Sequence, residues 1–291
     1  MTSKLVVPLA AVGVGALIAA GVIARGGAPP AQEAETLRSA TGTEPVRQVP
    51  DRLPDLDQET PGQLRIKTVR RSGRTIYRLG FRSAVRNVGE GPLTVVGRRS
   101  DRETPYMDVR QLVERVGARP EVVPDVGRMK YTVSPDHRHW HYLAFERYEL
   151  QRFELRSAGS ANPLRTDRKT GFCLGDRYRV RNRRLPAAPP EPVFTGRCGL
   201  DQPERLRLRV GISVGYGDDY PVFLEGQSLG LDGLSGGRYV LVHRVNVDRG
   251  LRERSYRNNA ASVLIRLRWR GGAPKVRVLA KCPATDRCGR G

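Results

Sequence analysis

Along much of this chain, apolar residues fall on every second position. The clearest run is Leu206, Leu208, Val210, Ile212 and Val214, separated by polar or small residues. Successive side chains of a strand point to opposite faces, so this period marks a half-buried strand. Residues 237–246 and 261–269 alternate in the same way. Strand character also covers residues 63–69, anchored by Leu64 and Ile66, and 75–88, anchored by Ile76, Leu79, Phe81 and Val85. Arg71-Ser72-Gly73-Arg74 predicts the hairpin turn between them. Asn87-Val88-Gly89-Glu90-Gly91-Pro92 predicts another turn, with residues 93–96 opening the next strand. Further along, 146–155 reads as a strand, 159–162 as a turn and 181–197 as a basic, Pro-rich loop. Residues 97–128 are polar and resist assignment; inside them, 108–116 is the one stretch with helical character. Short strands punctuated by Gly and Pro, with little helix, predict an all-β fold, a β-sandwich with long loops.

The N-terminus departs from this pattern. Residues 5–23 are an uncharged run of apolar and small residues between Lys4 and Arg25. They read as a secretory signal peptide or an uncleaved membrane anchor, residues 1–24 in all. Ala20 or Ala28 could serve cleavage, although no clean small-x-small site stands out. Residues 25–61, rich in Ala, Pro, Glu, Thr and Gly, predict a disordered linker. The folded domain is expected over 62–272, with a cysteine-containing tail over 273–291. Export to the outer face of the membrane or beyond implies an oxidising compartment, which makes the four cysteines disulfide candidates. Of the three pairings that four cysteines allow, Cys173–Cys198 with Cys282–Cys288 is preferred, the second closing a short loop in a polar tail.

Charge changes the picture less than its size suggests. The net charge is +21, from 51 basic and 30 acidic residues, and only six of the basic residues are lysine. Such an excess admits a polyanion partner, for instance an anionic envelope polymer. The arginines are scattered, however, and no nucleic-acid module is visible. Surface solvation by arginine is the simpler reading.

The chemistry concentrates at Asp136-His137-Arg138-His139-Trp140-His141, which holds three of the four histidines. Tyr131, Thr132 and Val133 before it, and Tyr142, Leu143, Phe145 and Tyr148 after it, favour a strand. On a strand, His137, His139 and His141 share one face, with Arg138 and Trp140 on the other. Three neutral imidazoles aimed at one point make a site for a divalent transition metal.

These segments together resemble the lysyl oxidase family. His137-x-His139-x-His141, with an aromatic residue before the third histidine, is similar to its copper-binding stretch, and residues 145–150 to the segment that follows. Lys169-Thr170-Gly171-Phe172-Cys173-Leu174 resembles its K-x-x-F-C-L segment. Asp218-Asp219-Tyr220, with Gln227 beyond, resembles its D-x-Y segment. Asp232-Gly233-Leu234, Gly237-Arg238-Tyr239, Glu253 and Asn258-Asn259 resemble its C-terminal strands. The match covers roughly residues 65–270. The resemblance implies a copper-dependent oxidase that deaminates primary amines, small or on protein lysines. It implies copper(II) on His137, His139 and His141, and a lysine tyrosylquinone formed from Lys169 and Tyr220. Chemistry of that kind needs a base to take a proton from the substrate carbon, and Asp218 and Asp219 are both candidates.

The departures are a missing tryptophan-rich lead-in to the histidines, a reduced cysteine set and a long basic loop between Lys169 and Tyr220. Three other readings compete. A cupin-like site would use His139, His141, Glu146 and His243, but lacks the glycine-proline pattern before His243. A zinc hydrolase would suit three histidines but shows no oxyanion stabiliser. A non-enzymatic copper-binding β-sandwich of the cell envelope would keep the histidines and have no use for Lys169 and Tyr220.

Overall fold

In the computed structural model, alternation becomes strand throughout. It describes residues 49–134, 137–153, 163–167, 171–181 and 184–289, and these contain no helix. The strands in chain order are β1 (Asp51–Arg52), β2 (Leu56–Gln58), β3 (Gly62–Arg71), β4 (Arg74–Asn87), β5 (Leu93–Arg98), β6 (Tyr106–Arg115), β7 (Ala118–Ser134), β8 (His137–Leu143) and β9 (Glu146–Arg152). They continue as β10 (Arg165–Thr166), β11 (Gly171–Phe172), β12 (Tyr178–Arg179), β13 (Arg207–Ile212), β14 (Tyr216–Tyr220), β15 (Ser228–Gly230), β16 (Gly237–Val245), β17 (Ala260–Arg270) and β18 (Ala273–Cys282).

Three antiparallel sheets form. One runs β11-β8-β7-β6-β5-β13, with β1 added to β6. A second runs β10-β9-β16-β17-β18. The third surrounds β4, as β12-β14-β4-β15 with β2 and β3 also on β4. All three send side chains into one core. Leu79 and Phe81 come from β4, Leu93 and Val95 from β5, Tyr142 from β8, Tyr148 from β9, and Leu241 and Ile265 from β16 and β17. Burying each such side chain stabilises the fold by about 1.5–3 kcal/mol relative to exposure. The fold is therefore all-β and sandwich-like, as the alternation predicts. The hairpin turn also stands: Arg71 pairs with Arg74 while Ser72 and Gly73 take φ of 49° and 73°.

Three expectations are corrected. Residues 108–116 are not helix: 108–115 belong to β6 and Val116 to the turn after it, and along β6 Met107, Val109, Gln111 and Val113 are all buried and point one way. The linker does not reach residue 61: β1 pairs with β6, β2 pairs with β4, and Leu56 is fully buried. Nor is the stretch from residue 273 a loose tail, since β18 pairs with β17 from Ala273 to Cys282. The signal or anchor segment, the start of the linker and the turn at 159–162 lie outside the described residues.

Both disulfides form as preferred, Cys173–Cys198 and Cys282–Cys288. The first has a clear job. On the side of β8 away from β7, β11 pairs with Leu143 and Tyr142, and farther along Trp140 N donates to Cys198 O and Asp201 N to Arg138 O. Cys173 follows β11 directly. The bridge thus ties together the two segments that cover the free edge of the histidine strand.

Candidate metal centre and its buried neighbours

β7 and β8 pair in register from Met129↔Tyr142 to Ser134↔His137, which fixes the side-chain faces. Trp140 goes into the core, where its Nε1 donates to Gln202 O and the Arg99 guanidinium lies 4.8 Å from its ring centre. Arg99 in turn donates to the carbonyls of Thr104, Arg102, Pro203 and Arg205. With Trp140 anchored, the alternate positions must face the other way. His137, His139 and His141 each offer a ring nitrogen, and these atoms lie within 4.8 Å of one another. His139 Nε2 and His141 Nε2 are 2.9 Å apart. Imidazoles that bind one ion at 2.0–2.1 Å stand about 3–3.5 Å apart, so this donor set fits a divalent transition metal with little adjustment.

The surroundings hold the rings in place. His141 Nδ1 is 3.2 Å from Thr132 Oγ1 on β7. A Cβ on Gly171 would lie 2.4 Å from His141 Cβ, so only glycine lets β11 pass so close. The site opens into a cleft of about 350 Å³ lined by Thr132, Ser134, His137, His141 and Gly171, with Glu225 and Arg78 also on its wall. Glu225 Oε2 sits 3.9 Å from His137 Nε2 and accepts from Ser134 Oγ at 2.8 Å.

Tyr220, on β14, is also buried. Its phenol oxygen lies 2.7 Å from Asp218 Oδ2 and 3.0 Å from Cys173 O, within hydrogen-bond reach of both. Its ring meets Phe172 edge-on, with centroids 5.0 Å apart. Burial, then the neighbouring Asp218 carboxylate, holds the phenol well above its ordinary range. Burial pushes Asp218 up to about 8, against the Tyr220 hydrogen bond and the Arg177 guanidinium 3.6 Å away. Gly171 touches His141 and Phe172 touches Tyr220, so two consecutive residues connect the histidine cluster to the buried phenol.

The two aspartate candidates now separate. On β14, Asp218 and Tyr220 share a face and Asp219 takes the other. There Asp219 Oδ2 pairs with Arg82 Nε at 3.1 Å, away from the phenol. Lys169 lies outside the described residues. His243 is not a fourth ligand: it is fully buried on β16, with Nδ1 3.1 Å from Ser83 Oγ and its ring against Phe81 and Tyr148. Burial lowers its pKa to about 3 and keeps it neutral.

No family model matches this chain, and no curated protein matches it.

Sequence reasoning missed Thr132, Glu225 and Gly171 as parts of the site, because they reach it from other strands and loops. It also missed the buried polar group behind Phe172. In that group Ser83 Oγ donates to Glu146 Oε2 at 2.5 Å, and Gln227 Nε2 donates to Tyr148 OH at 3.2 Å.

Proposed function

We propose that this chain is an exported, copper-dependent amine oxidase of the lysyl oxidase type. The observation that carries the reading is the convergence of three imidazoles beside a buried phenol–carboxylic acid pair, joined through Gly171 and Phe172. The net reaction converts a primary amine, oxygen and water to an aldehyde, ammonia and hydrogen peroxide. Copper on the three histidines would activate oxygen, and a quinone built from Lys169 and Tyr220 would supply the electrophilic carbonyl.

The chain's own residues have definite tasks in this scheme. Thr132 orients His141 for metal binding. Asp218 holds a proton at neutral pH and accepts one from the substrate carbon once it has ionised. Phe172 and the Cys173–Cys198 bridge keep water from the phenol. Glu225, on the cleft wall, gives an ammonium group local attraction in a chain of charge +21 that repels it at long range. The two disulfides fit an oxidising compartment.

A second reading needs only the histidines, and keeps the protein as a copper-binding envelope sandwich. It is favoured by the burial and hydrogen bonding of Tyr220, which suit a structural residue equally well. The deciding experiment is mass spectrometry of tryptic peptides from copper-loaded protein. A joined Lys169–Tyr220 peptide is expected, together with amine-dependent peroxide release. Lys169→Arg and Tyr220→Phe should abolish both and leave copper bound. Recovery of both peptides separate and unmodified leaves the second reading.

A further inference from the structure

The outer face of β16, β17 and β18 is built in two halves. Strand register puts Arg238, Arg266 and Arg277 in one row across the three strands. In the next row Arg268 lies opposite Lys275, and Arg270 follows on the same face of β17. Directly paired residues point the same way, and alternate residues share a face. All six cations therefore project outward. Val263, Ile265 and Leu267 go the other way into the main core.

The other half of this face is closed. Val240, Val242 and Leu264 are covered by Cys288 of the C-terminal segment and flanked by Phe153. The one arginine there, Arg244, pairs with both Glu149 and Asp286. Some arginines elsewhere are compensated in the same manner, Arg82 by Glu59 and Asp219, and Arg115 by Asp51 and Glu121. Among the described residues, no carboxylate pairs with Arg238, Arg266, Arg268, Arg270, Lys275 or Arg277. Directly opposed like charges destabilise a sheet, and this patch has three such pairs. Edge protection explains charges on β18, the outermost strand, but not those on β16 and β17 inside the sheet.

Between the side chains runs a trough of about 310 Å³, lined by Arg266, Arg268, Arg270, Lys275, Val276 and Arg277. Rows lie about 4.8 Å apart across the strands and about 6.7 Å apart along them, so the cations cover roughly 10 by 13 Å. We propose that this trough binds a linear, phosphate-bearing polymer. Arginine forks match phosphate oxygens two at a time, and five of the six cations are arginine. A trough with repeating charge along its length suits a chain better than a flat bilayer surface. It offers nucleobases no stacking platform: the Phe153 ring already carries the Arg238 guanidinium 4.6 Å from its centre, and Trp269 donates to Leu234 O on the inner side. The proposal holds whether or not the chain is an oxidase.

The test is binding of the whole protein to fluorescent linear inorganic polyphosphate, followed by anisotropy across a salt series. For about six contacts, log affinity should fall against log salt with a slope near −4. The variant carrying Arg268→Glu and Arg277→Glu puts each new carboxylate opposite a remaining cation, Lys275 or Arg266, so the strands stay paired. It should lose at least about tenfold in affinity and flatten the slope by about 1.4. The control, Arg110→Glu with Arg119→Glu, makes the same charge change on exposed positions of β6 and β7. It should stay within about threefold of wild type. Equal losses in the two variants would mean that net charge alone binds the polymer, and would overturn the proposal. So would tight binding to phosphatidylglycerol vesicles with none to polyphosphate.

Discussion

The four histidines occupy two opposite environments. His137, His139 and His141 sit side by side on one face of β8 at the wall of an open cleft. His243 sits alone on β16, fully buried between Phe81 and Tyr148, with Ser83 as its hydrogen-bond partner. Burial keeps His243 neutral, which is the protonation state a metal needs, yet among the described residues it belongs to no cluster of metal donors. A neutral imidazole is therefore not enough for a site. Three must share a face, with their backs fixed and their fronts reachable. On β8 this comes from period two, from the Trp140 anchor and from the absence of a side chain at Gly171.

The harshest way to break this comparison is to remove one side of it. Changing His137, His139 and His141 together to alanine should take copper content from about one ion per chain to none, measured by elemental analysis after dialysis. His243→Ala should leave copper content unchanged. It should instead cost about 2–4 kcal/mol of stability by emptying a packed site between Phe81 and Tyr148. Copper lost equally in both variants would dissolve the contrast.

Next in size is the effect of the proton-holding group beside Tyr220. Asp218 is hydrogen-bonded to Tyr220, whose ring meets Phe172, the residue after Gly171 beside His141. With Asp218 raised to about 8, it is mostly protonated at neutral pH and becomes a base only above that value. Amine oxidation should therefore rise with pH through about 8. Asp218→Asn should slow the reaction about 10²–10⁴-fold and erase that limb, while copper stays bound. Asp219→Asn should do neither, because Asp219 pairs with Arg82 on the other face. A limb that survives in Asp218→Asn assigns the base elsewhere.

How much of this could be read from the chain follows the same physics. The histidine face was legible because a strand's period is local: three residues two apart must point together. The same rule separates Asp218 from Asp219, since only the former lies two residues from Tyr220. That signal was present once residues 216–220 were recognised as a strand. β6 misled because Val109, Leu112, Val113 and Val116 repeat at three- and four-residue intervals and mimic a helix. Its true period is broken by the buried Gln111, which donates to Arg252 O and accepts from Arg252 N. β1 and β2 are too short to show any period. Thr132 and Glu225 were invisible because pairing and tertiary packing, not sequence proximity, bring them to the cluster.

A smaller effect probes the covering of the histidine strand. Cys173–Cys198 closes a 25-residue separation and Cys282–Cys288 one of 6. Replacing the first pair by serine should cost about 3 kcal/mol, the second about 2 kcal/mol, in denaturant titration. Only the first should also weaken copper binding, because only it ties β11 to the segment beside Trp140. If the tail bridge weakened copper equally, the edge of β8 would not be what the first bridge protects.

The smallest effect is a slope. His243 has a folded-state pKa of about 3, below the ordinary 6.5. The unfolded chain therefore binds a proton at this residue between those values and the folded chain does not. Stability from this group is whole above pH 6.5 and is lost as the pH falls, by about 1.4 kcal/mol per unit. Asp218 and Glu253, raised by burial to about 8 and about 7, act in the opposite sense, since their folded forms bind protons more tightly. The total slope is thus a poor readout, and the difference between wild type and His243→Gln isolates the histidine. That difference should shrink steadily from pH 6.5 to pH 4.5 in urea titrations of the copper-free proteins. A constant difference would mean that His243 takes up its proton without unfolding. It would then be reachable by water, and no longer the buried counterpart of the three on β8.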